Sequence, residues 1–133
     1  MIDVSAFDTL FNSKMSFEGS VIEVCEEGRV VIRSLVHDSD VNPYGLAHGG
    51  YLFTLCDDAA GILGYTLGSY VVTQQASMSF IRSVPKGTTI FVESTCLHSG
   101  RSSKIAEVTI KDEKGTLFCK GTFTLFPVKK RDA

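Results

Sequence analysis

The sequence predicts an α+β chain with one mostly antiparallel sheet and a single enclosed helix. Three observations predict it. The apolar pattern runs helix, two strands, one long helix, four strands, with no alternation of strand and helix. The long helical pattern is apolar nearly all round, the mark of a helix covered on most sides. Two pairs of strand-like runs are joined by the turn clusters Glu26-Glu27-Gly28 and Asp112-Glu113-Lys114-Gly115, a hairpin signal.

Each element follows from its residues. Val4, Phe7, Leu10 and Phe11 recur at helical intervals, so a short amphipathic helix is expected within residues 1–15. Residues 17–25 alternate in part and turn into 29–36. Residues 38–47 gather Asp, Ser, Asn, Pro and Gly, so they form a loop. From 48 to 67 runs the long helix, with Leu52, Leu55, Cys56, Ala59 and Leu63 on one face and Phe53, Ala60, Ile62 and Tyr65 on the others. It also carries Gly61, Gly64 and Gly68. Each helical glycine costs about 1 kcal/mol relative to alanine, so three of them imply close approach by a sheet or a partner. Strands are expected at 71–81, 89–98, 104–111 and 116–126. Pro43, Pro85 and Pro127 mark element boundaries, and 128–133, with Lys129-Lys130-Arg131, is expected to be a flexible, solvated tail. The simplest arrangement wraps the sheet around the helix.

Composition narrows the function. A chain of 133 residues, 44% hydrophobic and 21% charged, suits one soluble domain over 1–133 with its own core. A net charge of −2 with a pI near 5.9 argues against a nucleic-acid partner. The longest apolar stretch, about 14 residues from Ala59, falls short of the roughly 18 needed to span a bilayer. Met1 to Phe11 holds Asp3 and Asp8 and no basic cluster, unlike a secretory leader. Cys25, Cys56, Cys96 and Cys119 form no C-x-x-C pair and no zinc spacing, so they are expected as reduced structural thiols in a cytoplasmic protein, with no metal.

The chemistry gathers in the long helix. Asp57 and Asp58 are adjacent there, 100° apart around the axis, and an enclosed carboxylate is costly unless paired. Asp58 is expected to be a satisfied structural acid. Asp57 reads differently because of Ala47-His48-Gly49-Gly50, which brings the chain into the helix through two glycines and leaves bare N–H groups at the positive end of the dipole. Such an end stabilises developing negative charge. Eight residues separate Gly49 from Asp57, about 12 Å by helical rise, so the two cannot readily serve one site within one chain. A two-fold pair of chains removes the difficulty, with Gly49 from one and Asp57 from the other.

The segment Asn42-Pro-Tyr-Gly45-Leu-Ala-His48-Gly49-Gly50-Tyr-Leu-Phe53-Thr-Leu55-Cys-Asp57-Asp-Ala59 resembles the signature of hotdog-fold acyl-CoA thioesterases of the phenylacetate-degradation type. A later Phe80-Ile-Arg82-Ser-Val-Pro85-Lys-Gly87 is similar to the family's F-x-R-P strand end, with Arg82 and Pro85 set further apart. The resemblance implies a curled antiparallel sheet around one long helix, homodimers and homotetramers, and hydrolysis of acyl-CoA at the dimer interface. By position it makes Asp57 the general base or nucleophile. Gly49 becomes the amide that polarises the carbonyl, with Asn42 and His48 beside carbonyl and water, and Gln75 a polar position facing the site. Phe53 and, through CoA phosphates, Arg82 and Arg101 (with Lys104) are candidate substrate contacts. CoA belongs to the substrate, so no separate cofactor is implied. The rival from another class is a non-catalytic binder of acyl-CoA or acyl-carrier protein; a hydratase on the same fold lacks its H-F-P-type motif here.

Overall fold

The computed structural model describes Phe17 and residues 19–131; the helix expected within 1–15 lies outside the described residues. In chain order come β1 (Ser20–Glu26), β2 (Arg29–Leu35), a 3-10 turn (Asp38–Asp40), α1 (Gly49–Thr66), β3 (Ser69–Phe80), β4 (Thr89–Ser99), β5 (Lys104–Lys111) and β6 (Leu117–Lys130). The strands form one sheet in the order β1-β2-β4-β5-β6-β3, antiparallel at every step. Helix α1 packs against all six strands. The sheet therefore curls around the helix as expected.

Strand alternation decides what faces α1. Ala106, Val108 and Ile110 of β5, Ile90 and Val92 of β4, and Phe123 and Leu125 of β6 are fully buried, and with Leu55, Ala59 and Leu63 of α1 they form the core. Burying each Leu, Ile or Phe contributes roughly 1.5–3 kcal/mol. Gly64 lets α1 and β3 touch: a Cβ there would run into the Val71 side chain. Gly68, at φ +97°, makes the left-handed turn between them. Gly61 instead faces open space, so the expected close approach within the chain holds for Gly64 alone of the two.

Two expectations at the C-terminal end are corrected. Pro127 lies inside β6, opposite Val71 where the register shifts. Strand β5 begins opposite Leu125, so beyond that point β6 pairs with β3 alone and a proline there forfeits no second ladder. Nor is 128–131 a loose tail. Lys129 and Lys130 pair with Tyr70 and Ser69, and Arg131 N–H donates to the Gly68 carbonyl (2.8 Å). The Arg131 guanidinium donates to the Tyr65 carbonyl (3.0 Å) and lies 5.4 Å from that ring's centroid, a cation seated at the C-terminal end of α1. The Lys129 and Lys130 side chains are exposed, as expected; what the sequence pattern does not display is the pairing of their backbone and the Arg131 contact with a helix carbonyl.

All four cysteines are free thiols. Burial pushes Cys25 and Cys119 up to about 11, which keeps them protonated and unreactive. No helix among the described residues is long and apolar enough to cross a membrane. Strand β3 forms one edge of the sheet, with β6 on one side and no strand of this chain on the other among the described residues. Val72 and Phe80, both about half exposed, lie along it.

Candidate active site

Helix α1 is covered except for one stripe. Apart from Gly49 and Phe53 at its side, the exposed or half-buried residues Gly50, Thr54, Asp57, Asp58, Gly61 and Tyr65 trace a single arc of the helix at 100° per residue. Asp57 and Asp58 stand at opposite margins of this arc. Their surroundings differ. The Thr73 hydroxyl on β3 donates to Asp57 Oδ1. Thr73 sits opposite the buried Leu125 of β6, which fixes it on the sheet face toward α1. Asp58 Oδ2 is buried with no hydrogen-bond partner, and burial, reinforced by the charge of Asp57, raises its carboxyl to about 6. This corrects the expectation of a satisfied structural acid. Helical spacing shows the angle between the two acids but not which margin the sheet closes over.

At the start of α1, His48 is the N-cap residue, and its ring makes no capping hydrogen bond. Its backbone N–H donates to the Asp40 carbonyl at 2.9 Å. Gly49 and Gly50 follow, both exposed, leaving the first-turn amides uncrowded. Gly49 borders a cleft of about 240 Å³ together with Asn42, Phe80 and Arg82. Asn42 Oδ1 accepts the N–H groups of Tyr44 (2.9 Å) and Leu46 (3.2 Å), which shapes the loop and leaves the side-chain NH₂ as its remaining donor.

The structure thus brings Asn42, Gly49 and Arg82 together, leaves His48 exposed just before Gly49 in the chain, and holds Asp57 with Thr73 elsewhere along the helix. Gln75 joins neither group. A register shift between Thr73 and Gln75 places Gln75 opposite Thr124 and Ala76 opposite the buried Phe123. Gln75 therefore belongs to the sheet face turned away from α1; one bulged residue reverses the side on which the following residues fall. Phe53 is half-buried with its ring against Phe123, 5.4 Å between centroids, so it is a core contact on one side. Arg101 lies at the other end of α1, on a groove of about 700 Å³ that also holds Lys104, Lys129 and Lys130 and no acidic side chain. Lys104 is only 6% exposed, yet its ammonium donates to a neutral group, Ser99 Oγ, at 2.8 Å.

Thr73 is the site residue that sequence reasoning missed. Its signal was a polar residue two after Val71, hence on the same inward strand face, just beyond a helix whose Gly64 admits that valine. Among the described residues no three His, Cys, Asp or Glu side chains gather as metal ligands. The arrangement offers a carboxylate oriented by a hydroxyl, a set of helix-start amides with a side-chain amide, and a separate basic groove.

The model of the thioesterase superfamily matches residues 44–119. This chain belongs to the thioesterase superfamily. The proofreading thioesterase EntH of Cronobacter sakazakii is 37% identical over 82 residues, 58% of this chain and 58% of that protein. The match therefore spans less than two thirds of that relative's length. A hypothetical thioesterase protein of Streptococcus pneumoniae TIGR4, solved with coenzyme A, is 38% identical, with a TM-score of 0.84 over 87% of this chain and 94% of that one. A Streptococcus mutans UA159 protein bound to acetyl-CoA is 37% identical at the same TM-score, 0.84. Two further structures of the pneumococcal protein carry alanine in place of an aspartate and of a threonine. Those two positions are sixteen residues apart, the separation of Asp57 and Thr73.

Proposed function

We propose that this superfamily member hydrolyses acyl-CoA thioesters to the free acid and CoA, at sites shared between two copies of the chain. The observation that carries the proposal is the Asp57–Thr73 hydrogen bond, formed beside a sheet edge that no other strand covers among the described residues. The aspartate and threonine variants of the pneumococcal relative, solved also with coenzyme A, support the same pair.

The chemistry needs a base or nucleophile, an oxyanion donor and water. Asp57, its Oδ1 held by Thr73, takes a proton from water as the oxygen attacks the thioester carbon. The C–S bond then breaks and the thiolate of CoA collects a proton. Alternatively the carboxylate attacks directly and water cleaves the anhydride. The carbonyl oxygen is received by the Gly49 amide of the partner subunit, flanked by its Asn42 and His48. Antiparallel pairing of two β3 edges about a two-fold axis sets the Phe80 end of one strand beside the Ser69 end of the other. The Gly49 cleft of one copy thereby approaches the basic groove of its mate, where Arg101 and Lys104 suit the phosphates of CoA. The homodimer is the active unit and the homotetramer its further assembly. The phenylacetate-degradation type remains the finer assignment, resting on the Asn42-to-Asp57 motif; free buried thiols and the acidic pI suit a cytoplasmic enzyme without nucleic-acid or membrane partners.

The test is thiol release from a panel of aliphatic and aromatic acyl-CoAs. Release by the wild type, and its loss in a folded Asp57→Ala variant, is the expected result. Tight binding of every ester without release would replace the enzyme by an acyl-CoA binder.

A further inference from the structure

We infer that Tyr51 is a positioning residue that holds the amide end of α1 in register with the substrate carbonyl; the inference rests on the proposed role of Gly49. The start of the helix is weakly anchored by its own residues. Gly49 and Gly50 have no side chains, a Cβ on Gly50 would meet nothing within 4 Å, and the His48 ring caps nothing. Leu52 packs in the core and the Ala47 N–H donates to the Val84 carbonyl (2.8 Å), and two further ties bear on the first turn. One is the His48 N–H on the Asp40 carbonyl (2.9 Å), with Asp40 itself fixed because its Oδ2 accepts the His37 N–H (2.9 Å). The other is Tyr51, two residues after Gly49.

The Tyr51 ring is almost fully buried, edge-on to Phe17 with centroids 4.7 Å apart. Its hydroxyl shares a 2.7 Å hydrogen bond with Ser34 Oγ on β2, and Ser34 Oγ shares a 2.9 Å one with Ser20 Oγ on β1. A phenol is rigid over its whole length, so this chain of hydroxyls fixes the first turn of α1 against the two strands farthest from β3. Packing alone does not demand it. Phenylalanine fills nearly the same volume, and without the phenol oxygen Ser34 still has Ser20, so Tyr51→Phe strands no buried polar atom. A hydroxyl that burial does not require, on the turn that carries those amides, serves their placement.

The experiment compares wild type, Tyr51→Phe and Ser34→Ala by steady-state acyl-CoA hydrolysis, thermal unfolding and ¹⁵N relaxation of the Gly49 and Gly50 amides. Oxyanion donors lose effect steeply with misplacement, so kcat is expected to fall about 5- to 20-fold with KM within about twofold. In Tyr51→Phe the melting temperature should stay within about 3 °C, as expected when no buried group is orphaned. The amides should become more mobile in both variants. Ser34→Ala repeats the kinetic effect and stands in if Tyr51→Phe does not fold. Unchanged kcat in an active, folded variant overturns the inference, as does a fall in kcat that only follows a large loss of stability with rigid amides. If the wild type releases no thiol, the proposed function fails, and the relaxation data alone then decide whether Tyr51 holds the helix start.

Discussion

Thr73 on β3 donates its hydroxyl to Asp57 Oδ1, tying the middle of α1 to one of the two edge strands that the sheet has among the described residues. In the proposed dimer, the carboxylate is thus aimed by a group on the strand that meets its mate. Replacing Asp57 by Asn keeps the shape and removes the charge; turnover should fall about 10³-fold with an unchanged circular dichroism spectrum. Thr73→Ala should lower kcat by about 10-fold or more, and Thr73→Ser, which restores the hydroxyl, should recover most of it. Equal activity of the Ala and Ser variants would show that the hydroxyl does not act.

Sharing of the site between chains has a distinct signature. Gly49 opens the helix, and His48 before it has φ −61° and ψ 138°, a conformation compatible with a following proline. Gly49→Pro therefore removes the amide hydrogen with little disturbance and should abolish turnover. Refolding it together with Asp57→Asn makes mixed dimers in which one site regains both groups, so about a quarter of wild-type activity should return. A site built within one chain would give none.

Asp58 makes stability depend on pH. Its folded carboxyl is raised to about 6, above the ordinary value near 3.9, so the folded state holds the proton more tightly than the unfolded one. Stability is then lost as pH climbs from about 4 to about 6 and stays lower above that. Asp58→Asn should raise the melting temperature at pH 7.5 and give no gain at pH 4. Two pK units correspond to about 3 kcal/mol, discounted for partial solvent access to about 1 kcal/mol. Denaturant titrations at the two pH values measure it.

The basic groove should recognise the nucleotide and not the acyl chain. Lys104→Met keeps the buried stem and removes the charge; with Arg101→Ala it should raise KM for an acyl-CoA about 10-fold and leave kcat nearly unchanged. An acylated pantetheine, which has no nucleotide phosphates, should be hydrolysed equally by variant and wild type. A matching rise in KM for both substrates would place the phosphates elsewhere.

The residues by themselves determined the curled sheet, the enclosed helix and the helix-start motif with Asp57, since period-2 and 3.6-residue apolar patterns and a two-glycine helix entry are local properties. Distances of a few residues along one helix also sufficed to separate Gly49 from Asp57. Only the tertiary structure decided that Thr73, not Gln75, meets the carboxylate, because a single bulged residue in β3 reverses its faces and leaves no mark in composition. It alone showed that Asp58 is the acid the fold leaves without a partner, and that Arg131 ends against a helix carbonyl. Each of these is set by which strand lies beside which, and that follows from closure of the whole sheet.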